Sequence, residues 1–194
     1  MKSEVCAIFA IGPGGVIGID DKMPWHSRQD FYHYKQITKG YPCIFGSRTF
    51  YGLPKYPLID RLNIVVNQEF EKSKVVFSGK TSNTNDGGYL EIPEIEEALQ
   101  WASNFSKVFI CGGRSVYKYC LENEIVDSIY LTSVTSEELF NKVNANPDRY
   151  VYFPINLSEY LKDWDCTEIT YSSLPKEDGD ISVKFYKYTK NKKA

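Results

Sequence analysis

The chain has 194 residues, 42% of them apolar, which suits one domain spanning 1–194 with a sizeable core and argues against disorder. Lys and Arg number 23 against 25 Asp and Glu, so the net charge of −2 supplies no global basic field for nucleic acid or an anionic membrane. Five cysteines with no metal-ligand spacing and only two histidines weigh against a disulfide framework, a metal site and a Ser-His-Asp triad.

Residues 5–11 (Val-Cys-Ala-Ile-Phe-Ala-Ile) form an apolar run that predicts a buried strand. A loop of Gly12, Pro13, Gly14, Gly15 and Gly18 follows, then Met23-Pro24-Trp25. Helical spacing covers 29–39, with Phe31, Tyr34 and Ile37 on one face and Ser27 as N-cap. Asp30 lies in this apolar setting. A lone acid there either has a bound partner or carries a raised pKa, and both suit an enzyme that protonates or grips a nitrogen heterocycle.

Strands are predicted at 42–45, 62–66 and 74–77, with a short helix at 47–53. Residues 78–88 are rich in Ser, Thr, Asn and Gly and read as an exposed loop, one of two polar insertions, near 78–90 and 135–152. Between them come a helix at 93–103, a strand at 107–111, a helix at 115–121 and a strand at 128–134. Residues 164–170 and 182–188 alternate and are expected to pair antiparallel. The basic tail at Lys187, Lys190, Lys192 and Lys193 reads as a solvated terminus. With no signal peptide and no apolar run long enough to span a bilayer, the expected compartment is the reducing cytoplasm.

Alternating strands and helices predict an α/β fold: a central, mainly parallel, twisted sheet with an antiparallel C-terminal strand pair and helices on both faces. In such folds ligands bind at the carboxyl ends of strands, where the Gly loops should converge on one cleft. Cys111-Gly112-Gly113-Arg114-Ser115-Val116-Tyr117 joins a strand to a helix through two glycines, which suits either a phosphate cradle or a tight turn. Gly46-Ser47-Arg48-Thr49 repeats the arrangement and leaves the same two options. Arg61, before a strand, is either a bidentate carboxylate clamp or a surface arginine. Thr132 is either a site residue or an ordinary strand threonine. Trp25, taken alone, reads as core rather than as a site residue.

Taken in order, these blocks resemble the dihydrofolate reductase family over nearly the whole chain. They are Val16-Ile17-Gly18, Met23-Pro24-Trp25 with Asp30, Gly46-Ser47-Arg48-Thr49-Phe50, Pro57-Leu58-Ile59-Asp60-Arg61-Leu62-Asn63, Gly112 to Tyr117, Tyr130-Leu131-Thr132 and Phe153-Pro154. The resemblance implies hydride transfer from NADPH to the pterin ring of dihydrofolate, in support of one-carbon and thymidylate metabolism. By motif position Asp30 would bind the pterin and favour protonation of its imine, with Trp25 and Thr132 holding the carboxylate and an ordered water. Ile8, Phe31, Tyr34, Leu53 and Leu58 would line the substrate pocket, and Arg61 would grip the glutamate carboxylate. Residues 12–27 would be a mobile lid.

Ala10, Ile17, Gly18 and Met23 would face the nicotinamide. Cys111, Gly112, Gly113, Arg114, Ser115, Val116 and Tyr117 would cradle the pyrophosphate, with a cis peptide between the glycines. Gly46, Ser47, Arg48, Thr49, Asn67 and Gln68 would serve the adenosine side. Asn67 stands where the family usually has a serine for the 2′-phosphate, and Ser47 where many members have a basic residue, so NADH is the alternative cofactor. Tyr150 replaces an acidic residue of the family. A riboflavin-pathway pyrimidinone reductase of the same fold and a non-catalytic folate- or nucleotide-binding protein are the alternative functions. The partners implied are small molecules, with neither nucleic acid nor membrane, and a monomer is expected, though the insertions are open as oligomer contacts.

Overall fold

The computed structural model describes residues 2–20, 22–81, 84–177 and 179–191. Lys192 and Lys193 of the basic tail, and Ser82 and Asn83 of the first polar loop, lie outside them. In chain order the elements are β1 (Glu4–Ile11), β2 (Val16–Ile19), α1 (Arg28–Thr38), β3 (Pro42–Gly46), α2 (Ser47–Tyr51), β4 (Leu62–Val66), β5 (Lys74–Ser78) and β6 (Gly87–Ile92). Then follow α3 (Ile95–Trp101), β7 (Lys107–Ile110), α4 (Arg114–Glu122), β8 (Ser128–Thr135), α5 (Glu137–Ala145), β9 (Tyr150–Tyr152), α6 (Leu157–Tyr160), β10 (Trp164–Ile169) and β11 (Ser182–Lys190).

The chain divides into two compact units, residues 2–7 with 38–126 and residues 8–37 with 127–191. The first unit holds the strand order β1-β7-β3-β4-β6-β5. Its pairs are parallel except β5, which lies antiparallel on β6. Parallel strands need cover on both faces, and β3 and β4 supply the continuous apolar runs this demands: Cys43, Ile44, Ile64 and Val65 have no exposed surface. On α4 the buried stripe is Val116, Tyr117, Cys120 and Leu121.

In the second unit β11 pairs antiparallel with both β8 and β10, so the expected C-terminal pair is present and extends to a third strand. A separate two-stranded ribbon pairs β2 with β9. Among the described residues no helix is long and apolar enough to cross a membrane.

Three readings of the sequence need correction. The loop expected over 78–88 gives way at Gly87 to β6, whose signal was masked by two glycines and by a charged residue in its buried half. That residue, Glu91, is buried because Tyr51 Oη–H donates to its carboxylate at 2.6 Å and Lys74 Nζ lies 2.8 Å away. The polar stretch 135–152 carries α5 and β9. Leu139 and Val143 make its buried face while Phe140 is left exposed, and Ser136 caps the helix by accepting from Leu139 N–H. The fully buried residues of α1 are Asp30, His33 and Thr38; of the expected stripe, Tyr34 and Ile37 are half-buried and Phe31 is 41% exposed. His33 fills an apolar place because its ring stacks on Phe185 at 4.2 Å and its Nδ1 bonds Tyr171 Oη at 2.7 Å.

Candidate active site

The second unit holds Asp30. Ser27 caps α1 as expected, accepting from Asp30 N–H at 3.0 Å, and this seats the acid in the first turn of the helix. Asp30 is 7% exposed. Burial lifts its pKa from 3.8 to about 6; the Thr132 hydroxyl, donating from β8, opposes the rise, and the Glu177 carboxylate adds to it. Thr132 is itself buried and Ile8 is buried on β1, while Phe31 and Tyr34 follow Asp30 along α1.

Trp25 is buried against Val16, Val134, Leu139 and Val143. Its ring lies so close to Gly12 that a Cβ added there would sit 2.9 Å from it, which explains why the loop turns on a glycine. The indole Nε1–H is buried and has no hydrogen-bond partner among the described residues. A buried donor left this way costs about 1–3 kcal/mol unless a ligand or water meets it.

Residues 12–20 are not an irregular loop. Val16, Gly18 and Ile19 of β2 pair with Tyr152, Val151 and Tyr150. Phe153 N–H donates to Gly15 carbonyl at 2.8 Å, and its ring packs on Phe9 at 4.3 Å. Ala10, Ile17 and Gly18 are half-buried here and Met23 is exposed.

In the first unit the two glycine turns meet. Gly46 N–H donates to Gly112 carbonyl at 2.6 Å, and Cys111 N–H to Ile44 carbonyl at 2.8 Å. The Gly112–Gly113 peptide is cis and Gly112 has φ +101°, in the region that favours glycine. A Cβ on Gly113 would lie 2.5 Å from Thr49 Oγ1, so a larger residue there would have to turn the Thr49 hydroxyl away. Gly113 begins α4 with no side-chain cap, leaving Arg114, Ser115 and Val116 as its first turn. Ser47 and Arg48 open α2.

At the end of β4, Asn67 Oδ1 accepts from Glu69 N–H at 3.0 Å, and Gln68 is exposed. Leu53 and Leu58 are half-buried. The turn before β4 is pinned by buried Asn63, whose Oδ1 accepts from Leu58 N–H and whose Nδ2 donates to the Leu58 and Arg61 carbonyls. This fixes Arg61, whose Nε donates to Thr38 Oγ1 at 2.9 Å and whose Nη1 donates to Ile59 carbonyl at 3.1 Å. Two anchored donors orient the guanidinium plane.

A dihydrofolate reductase family model matches residues 4–190. The chain belongs to the dihydrofolate reductase family. Enzymes of this family reduce dihydrofolate with NADPH. Dihydrofolate reductase type 9 of Escherichia coli is 35% identical over 133 residues, which are 66% of this chain and 68% of that one. Dihydrofolate reductase of Candida albicans is 28% identical over 182 residues, 89% of this chain and 84% of that one. The bifunctional dihydrofolate reductase-thymidylate synthase of Paramecium tetraurelia is 25% identical over 86% of this chain, which spans only 33% of that protein. A solved dihydrofolate reductase from Enterococcus faecalis, complexed with NADP(H) and RAB-propyl, superposes with a TM-score of 0.68 and 21% identity over 98% of this chain and 99% of that one, a likeness of fold.

One residue beside Asp30 escaped the sequence reading. Glu177, in the stretch between β10 and β11, sits against the first turn of α1. Its sequence surroundings, Pro175-Lys176-Glu177, are those of any solvated turn, so no local signal marked it.

Proposed function

We propose that the chain reduces 7,8-dihydrofolate to 5,6,7,8-tetrahydrofolate, with Asp30 as the group that meets the pterin. The observation that carries the proposal is Asp30 itself: a buried carboxyl with a pKa near 6, one hydroxyl partner in Thr132, on a helix whose next residue is an exposed aromatic. A carboxyl in that range binds the amino group and ring nitrogen of the pterin and raises the proton affinity of the reducible imine. The neighbouring carbon then accepts hydride more readily. The buried Trp25 Nε1–H, without a partner among the described residues, suits an ordered water.

NADPH, when bound, supplies the hydride. The residues present fit it: the first turn of α4, Arg114 to Val116, opens from Gly113 with no side-chain cap, a helix N-terminus suited to an anion. Gly113 to Tyr117 would hold the pyrophosphate, Gly46 to Thr49 with Asn67 and Gln68 the adenosine end, and Ala10, Ile17, Gly18 and Met23 the nicotinamide. Arg61, held in plane by Thr38 and Ile59, would take the glutamate carboxylate of the substrate, beside Leu53 and Leu58. The same reading makes the protein a cytoplasmic monomer; sedimentation would return a single species of monomer mass.

The test is the loss of reduced-nicotinamide absorbance when the protein is mixed with dihydrofolate and NADPH. Turnover at pH 6–7 is expected. Its absence throughout that range, with the protein folded, would overturn the proposal. Parallel kinetics with NADH read out what Asn67 and Ser47 do to the choice of cofactor.

A further inference from the structure

Beyond the residues that the family resemblance assigns, a second carboxylate stands behind Asp30. Glu177 Oε1 accepts from Ser27 Oγ–H at 2.7 Å and from Gln29 N–H at 2.5 Å. Ser27 Oγ in turn accepts from Asp30 N–H at 3.0 Å. The contact is reinforced by Gln29 Nε2–H, which donates to Pro175 carbonyl at 3.0 Å. The stretch between β10 and β11 is therefore tied to α1 by three hydrogen bonds, all within the turn that carries the acid. Glu177 Oε2 is buried with no hydrogen-bond partner among the described residues.

From this geometry we propose that Glu177 is a positioning residue for the reduction: it holds the first turn of α1 through Ser27 and Gln29 and places a negative charge behind Asp30. The inference rests on Asp30 being the proton-handling group. Like charge disfavours ionisation of a neighbour, so Glu177 keeps Asp30 protonated to higher pH, in the direction Asp30 shows. Burial of Asp30 is the largest influence on it; the Thr132 hydroxyl on β8 opposes the rise more strongly than Glu177 adds to it, so Glu177 tunes a balance that burial sets. The remaining neighbours add no opposing charge. His33, one turn along α1, is held neutral by burial, with a pKa near 4. Tyr171, bonded to His33, is pushed up by burial and by Tyr32, and stays neutral too. Arg28 on α1 and Lys176 beside Glu177 are exposed.

Glu177→Gln separates charge from hydrogen bonding, because the amide oxygen still accepts from Ser27 and Gln29. The readouts are the carboxyl carbon shift of Asp30 followed by NMR across pH 3–9, and the pH profile of kcat/KM. In Glu177→Gln both titrations are expected at lower pH than in wild type, with unchanged NADPH binding and little change in Tm. A shift of about half a unit would lower turnover roughly threefold on the alkaline side. Glu177→Ala should lower kcat/KM at every pH and speed hydrogen exchange at Gln29 and Asp30. If the Asp30 titration in Glu177→Gln superimposes on wild type, the inference is wrong. If Asp30→Asn retains full turnover, the error lies instead with the role of Asp30.

Discussion

Asp30 is placed where ionisation is costly, and the same displacement has a stability consequence whose sign follows from linkage. Its pKa is near 3.8 unfolded and about 6 folded, so between those values the folded chain binds the extra proton. Stability from this group therefore falls as pH rises through that window, and the cost of about 3 kcal/mol stays above it. Asp30→Asn should then make the protein more stable by about 1–3 kcal/mol at pH 8 and by nothing at pH 3.5, measured by urea unfolding, while turnover at pH 7 drops by roughly 10²–10³. An equal change in stability at both pH values would remove the linkage argument. Arg61→Ala carries a different signature. It should raise KM for glutamate-bearing substrates by roughly 10–100-fold and leave a bare pterin unaffected, because only the carboxylate loses its bidentate partner. Asp30, Trp25, Thr132 and Arg61 were candidates from the sequence because they sit in motifs whose order is itself informative, and the burial of the first three follows apolar runs that local sequence shows. Glu177 was not, because its role depends on which helix its loop meets.

The element that matters most beyond those motifs is α5. Leu139 and Val143 on it cover Trp25, and Leu139 also approaches Gly12, so this helix holds the tryptophan in place. Its N-terminus is built twice over. Ser136 Oγ accepts from Leu139 N–H, and Asp180 accepts from Ser136 Oγ–H at 2.9 Å and from Glu138 N–H at 2.9 Å. Those hydrogen bonds hold Asp180 below its usual pKa, so its support is present above the unfolded value and is lost as pH falls through the folded one. Ser136→Ala should cost about 1 kcal/mol. Leu139→Ala should cost about 2–4 kcal/mol and redden Trp25 emission as water reaches the indole. Unaltered fluorescence in Leu139→Ala would show that α5 does not shield Trp25. Composition hid α5, because its apolar residues are scattered among charged and amide side chains, and only Leu139 and Val143, one turn apart, find a partner once Trp25 is there to receive them.

For the whole molecule, Asp30 and His33 oppose each other. His33 falls from 6.5 to about 4 on burial, so between those values the unfolded chain binds the extra proton and stability rises with pH. Asp30 does the reverse from 3.8 to about 6. The two contributions nearly cancel across pH 4–6, and stability from this pair should be flat there. His33→Gln, which can keep a bond to Tyr171, should leave Asp30 unopposed, so stability falls from pH 4 to 6. Asp30→Asn should leave His33 unopposed, so stability rises from pH 4 to 6.5. Identical slopes in both variants would mean that other groups govern the pH response.

The sequence by itself determined the α/β class, the buried strands, the glycine turns and the family, because each rests on local chemistry: apolar runs, backbone freedom and motif order. Only the tertiary structure decided which side chains share an environment. It placed His33 against Phe185, Glu91 between Tyr51 and Lys74, α5 over Trp25, and Glu177 behind Asp30. Each of these puts a polar or isolated residue into a site that only a distant segment makes favourable, and no window of local sequence contains that partner.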